Sequence, residues 1–153
     1  MEVVMLSCHD VAKYFLSLTD EDAGDLISNL KLQKLVYYAQ GFHLALYGEP
    51  LFKERIEAWT HGPVAPELYH TYKDLGANAI PRPTDMDFSI YDERTRELLD
   101  EVHQVHGQFS AWKLRNMTHD EPPWKIAISN GGVITPSSMQ EFFKTQLVDN
   151  KEF

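Results

Sequence analysis

Apolar residues return every three to four positions along most of this chain, which predicts a succession of helices. Val11, Tyr14, Phe15 and Leu18 give the first its inward face, and Ser7 with Asp10 reads as a capping box, so a helix is expected over about 8–18. The second, about 30–47, has two stripes: Leu32, Leu35, Val36, Ala39, Phe42 and Leu46, and Leu30, Tyr37, Tyr38, Gly41, Leu44 and Ala45. Together they cover most of its circumference, the pattern of a central helix surrounded by others. Ala39, Gly41 and Ala45 are small enough to admit close neighbours, and Gly48 followed by Pro50 closes the helix.

From Leu51 to Trp59 the pattern shifts toward alternation, which suits a strand, and His61-Gly62-Pro63 breaks it. Pro66 opens a third helix, about 66–75, and the Pro-rich stretch 77–89 is expected to be a loop. A fourth helix, about 92–106, turns Leu98, Leu99, Val102, Val105 and His106 to one face. Ser110 caps a fifth, about 111–118, and Pro122-Pro123 starts a short sixth one with Trp124, Ala127 and Ile128. Gly131-Gly132-Val133-Ile134 gives a turn and a short strand. Thr135 and Pro136 begin a last helix whose Met139, Phe142, Phe143 and Leu147 face inward, and a frayed tail is expected over 148–153. The expected fold is mainly α: six to seven helices around the central one, with at most a two-stranded ribbon, in a single domain over 1–153.

At 153 residues and 43% hydrophobic, the chain can bury a sizeable core. The formal net charge of −9 repels phosphate backbones, and the lysines and arginines are scattered among acids, so nucleic acid is not an expected partner. A basic protein partner suits this surface better. Cys8 is the only cysteine, which rules out a disulfide framework or a thiolate metal cluster, fits a reducing cytoplasm, and reads most simply as a small buried hydrophobe. The opening residues lack the pattern of a secretory leader, and no apolar run is long enough to span a membrane.

Several residues invite a chemical reading. His103 and His106, three apart on one helix, could share an ion, but no third ligand has recognisable spacing, so a solvated or core-edge pair is the simpler expectation. His61 in WTHGP and His119 in THDEPPW could act in acid–base chemistry, the latter with Asp120 or Glu121. No serine sits in a nucleophile elbow beside them, and locking loops onto the central helix is the plainer role. Trp59, Tyr69, Tyr72, Trp112 and Trp124 could build an aromatic interaction surface, or simply be core. Asp20-Glu21-Asp22 reads as a solvated loop and Gly131-Gly132 as an isolated pair, not a phosphate cradle.

LKLQKLVYYAQGFHLALYGEPLF, EAWTHGPVAPELYHTYK, SAWKLRNMTHDEPPWKIA and ITPSSMQEFF stand in the order characteristic of the Panacea domain family, which the chain resembles from about Ser7 to Phe143. That family includes SocA-like antitoxins and phage-associated GepA-like proteins. The resemblance implies a bacterial or prophage antitoxin that neutralises a co-encoded toxin by direct binding, with no enzymatic activity and no cofactor or metal. In the SocA branch it implies an adaptor that delivers the toxin to a AAA+ protease. Trp59, Gly62, Pro63, Thr118, His119 and Trp124 occupy its motif positions, as fold-defining residues with interface roles at their exposed edges. A small hydrolase using His61 or His119, or a phage host-interaction protein, remain alternatives at this stage.

Overall fold

The structure, a computed structural model, describes residues 5–147. Seven α-helices occur among them: α1 (Cys8–Ser17), α2 (Asn29–Tyr47), α3 (Pro66–Tyr72), α4 (Glu93–His106), α5 (Ala111–His119), α6 (Pro122–Ser129) and α7 (Pro136–Gln146). Three short strands, β1 (Ile56–Trp59), β2 (Gly62–Val64) and β3 (Val133–Ile134), form an antiparallel sheet in the order β2-β1-β3. The fold is therefore mainly α, as the helical periodicity predicts, but the ribbon has three strands rather than two. The extra strand is β2: the Gly62-Pro63 break is a tight turn whose far arm pairs back onto β1, Trp59 opposite Gly62 and Ala58 opposite Pro63. Pro63 can sit there because β2 is an edge strand. The predicted strand over 51–59 shrinks to its last four residues, and the third helix gives way after Tyr72 to a single 3-10 turn over Lys73–Leu75. The frayed tail expected over 148–153 lies outside the described residues.

Local signals account for the boundaries. The Ser7 hydroxyl accepts from the Asp10 amide at 3.1 Å while the Asp10 carboxylate accepts from the Ser7 amide at 2.9 Å, a reciprocal cap on α1. Ser28, Asp92, Ser110 and Thr135 cap α2, α4, α5 and α7 in the same way with one side-chain bond each. Gly48 ends α2 at φ 74°, the left-handed region that favours glycine.

Every residue of α2 from Lys31 to Gly41 is buried, and α1, α3, α4, α5, α7 and β2 all pack on it. The closest approach is that of α7: a Cβ on Gly41 would collide with the Phe143 ring, so only glycine lets the two helices meet there. The polar residues of α2 tie irregular backbone to this core. Gln40 accepts from the Leu51 and Phe52 amides and donates to the Phe52 carbonyl, and Gln33 accepts from the Ala65 amide at 2.9 Å. The loop over 77–89 is fastened by a bridge between Ser28 and Ala79, with the Ile80 amide donating to Ile27 O at 2.8 Å.

Candidate functional site: the turn over Lys34 and the open groove

Two regions gather the residues with chemistry. The first is the β1–β2 turn, seated over Lys34 of α2 and the end of α5. Lys34 is completely buried and its ammonium donates to Pro63 O at 2.9 Å. Among the described residues, the charge that acts on it is the like charge of Arg115. Burial, helped by Arg115, pulls the amine down to about 7. Gly62, at φ 108°, lies flat against this site: a Cβ there would come within 2.8 Å of both Lys34 Cε and Thr118 Oγ1. Thr118 is fully buried and donates to Arg115 O at 2.7 Å.

Around the turn, Trp124 donates through its indole N–H to Trp59 O at 2.8 Å, and His119 stacks on Trp124 with ring centroids 4.1 Å apart. Trp59 meets Tyr69 edge-on at 5.0 Å. Arg115 donates to His61 Nδ1 at 3.0 Å and lies over the Trp112 ring, which is 55% exposed. Burial and Arg115 hold His119 below its ordinary pKa, and its Nε2 is buried without a hydrogen-bond partner. His61 and His119 therefore share a neighbourhood but are engaged by a guanidinium and an indole, not by a nucleophile or a carboxylate.

The second region is a groove of about 790 Å³. Its floor is α2, at Tyr38, Phe42 and Leu46; α4 and α7 form its walls, and the α5–α6 junction closes one end. At that end lies Glu121, which does not pair with His119. Its carboxylate instead accepts from Tyr37 Oη at 2.9 Å and Tyr38 Oη at 2.7 Å. Burial raises Glu121 to about 7 despite these two bonds, and pushes both tyrosine hydroxyls upward as well. His106 stacks on Tyr38 at 4.2 Å and is held down at about 4 by burial. His103 instead faces Asp25, at 3.7 Å, so the two histidines of α4 do not converge on one ion. Among the described residues, one set of metal-type ligand atoms does converge: Cys8, His9 and Glu67, within 4.8 Å of one another. Burial, with Glu54 and Glu67 nearby, pushes the Cys8 thiol up to about 12, so it stays protonated and packs as a core hydrophobe.

Residues 32–125, which carry the turn and all of the groove except its α7 wall, match the family described as antitoxin SocA-like, Panacea domain. The chain belongs to that family. A curated relative, Antitoxin SocA of Caulobacter vibrioides (strain NA1000 / CB15N), is 34% identical over 116 residues, covering 69% of this chain and 61% of the relative. The chain thus spans less than two thirds of that protein's length. No solved structure matches it.

The fold of this Panacea domain brings most of the motif residues together. Trp59, His61, Gly62, Pro63, Thr118, His119 and Trp124 converge on the one turn, with Tyr69 and Trp112 at its edges. Tyr72 stands apart, half-buried against the core. Two features escaped the sequence reading: the burial of Lys34, and the pairing of Glu121 with Tyr37 and Tyr38. Lys34 had a signal: a lysine within a helix that is apolar almost all round has no solvent-facing side to occupy. Glu121 had none, because its partners are more than 80 residues away.

Proposed function

We propose that this chain is an antitoxin that neutralises a co-encoded toxin by binding it directly in the bacterial cytoplasm, without catalysing a reaction. Membership of the SocA-like, Panacea-domain family carries this reading. The state of the motif residues supports it: Lys34, Gly62, Pro63 and Thr118 are buried and spent on holding one turn in place. No helix among the described residues is long and apolar enough to cross a membrane. A standard neutralising interface would bury about 1,600 Å² in total.

Co-expression with the adjacent open reading frame tests the proposal. Rescue of growth, with both proteins purifying at a fixed ratio, is the expected result. Rescue with the toxin missing from the cells would assign delivery to a protease instead, and a harmless neighbour would remove the antitoxin reading. With a formal charge of −9, steering of a basic toxin should make the association rate fall steeply with added salt. A salt-insensitive on-rate in stopped-flow mixing would dismiss the steering.

A further inference from the structure

The walls of the groove are α4 and α7. Each packs on α2, yet they barely touch each other, so the face of α2 between them stays open. Periodicity assigns Leu46 and Val105 to inward faces, and Leu147 to the inward face of the last helix. In the structure they remain 47%, 44% and 37% exposed. All three line the groove with Phe42, Val102 and Phe142. This is an apolar seat one element short of closure along α2, which is otherwise covered by its neighbours.

We propose that this groove is the partner-binding site, and that it receives an amphipathic helix of the partner, apolar on the inserted face and bearing lysine or arginine beside it. The inference rests on the antitoxin reading for the identity of the partner. Three observations support it. The slot runs between two helices over a third, the cradle that a further helix fills with its i, i+3, i+4 and i+7 side chains. At about 790 Å³, the space holds several such anchors. Among the described residues, the ionisable side chains that line it are Glu101, Glu121 and His106, with no lysine or arginine; Glu101 is its exposed carboxylate, while Glu121 is held at about 7 by burial. A basic flank is thus complementary, and an acidic one would be repelled by a chain already at −9.

The probe is a pair of synthetic helical peptides of about 18 residues with one shared apolar face, flanked by lysine and arginine in one and by glutamate in the other, followed by fluorescence anisotropy. The basic peptide should bind, the acidic one should not, and Val105→Arg or Leu46→Arg should each weaken binding about tenfold or more, roughly 1.4 kcal/mol. Both substituted side chains are about half exposed, so unchanged circular dichroism and unfolding midpoints should accompany the loss. Equal binding of both peptides, or none, would overturn the proposal. So would a wild-type dimer that Val105→Arg converts to monomer, which would make a second copy the occupant.

Growth assays separate this inference from the antitoxin reading. If wild type protects against its toxin and Val105→Arg does not, the groove is the site. If both protect equally, the groove proposal fails and the antitoxin reading stands. If wild type itself gives no protection, the antitoxin reading fails, and the peptides alone decide the groove.

Discussion

Lys34→Met should stabilise this protein at mildly acid pH and lose that advantage in alkali. In the unfolded chain the amine titrates near 10.5; in the folded protein it titrates near 7. Below about pH 7 both states carry the proton, and the folded state bears the whole cost of burying it, roughly 5 kcal/mol at about 1.4 kcal/mol per pKa unit. As pH rises from 7 toward 10.5 the unfolded state holds more protons than the folded one, so wild-type stability climbs; by about pH 9.5 roughly 3 kcal/mol of the cost is gone. Methionine fills a similar volume without charge but leaves Pro63 O with no donor, which costs about 1–3 kcal/mol. The variant should therefore exceed wild type by about 2–4 kcal/mol at about pH 6 and match it or fall below by about pH 9.5. Urea unfolding of both proteins across this range, with m-values compared, measures the difference directly. A gap that does not change with pH would refute the reasoning, because it would mean that the ammonium keeps an ordinary pKa inside the fold.

Other perturbations follow from the same packing. Gly41→Ala gains helix propensity but drives a methyl into the Phe143 ring, so a net loss of about 1–3 kcal/mol is expected in denaturant unfolding; an unchanged midpoint would show that α7 shifts freely. Glu121, raised to about 7, weakens the fold as pH climbs from 4.5 to 7, whereas His106, lowered to about 4, strengthens it between about 4 and 6.5; each is worth roughly 3 kcal/mol, and they nearly cancel. His106→Phe removes the second contribution, so the variant's unfolding midpoint should fall progressively behind that of wild type as pH rises across that range. Substituting both His61 and His119 by Ala should leave toxin neutralisation intact in the growth assay if the variant remains folded by circular dichroism; loss of protection in a folded variant would revive a catalytic role for these side chains.

The helices were legible because their signals are local. Ser7 and Asp10 announce α1, Ser110 and Thr135 open α5 and α7, and the double stripe of α2 marks it as central. The sheet was less so. Gly62-Pro63 signals a turn, but whether a turn's far arm pairs or wanders depends on what lies beneath it, here Lys34 and Thr118. The aromatic motif was visible as a set, since its members flank two recognisable turns, while their arrangement was not. The groove was hidden by the very rule that found the helices. Leu46 and Val105 have inward periodicity, and nothing in periodicity states whether a neighbour arrives to cover them.

The side-chain amides of Gln33 and Gln40 make the two irregular segments after α2 derivatives of that helix. The backbone amides of Leu51, Phe52 and Ala65 donate to the side chains of that helix, so each segment depends on α2 to satisfy them. The chain is thus organised like a spine with its connectors stitched on: opening either connector exposes bare peptide groups, and losing the helix loses both at once.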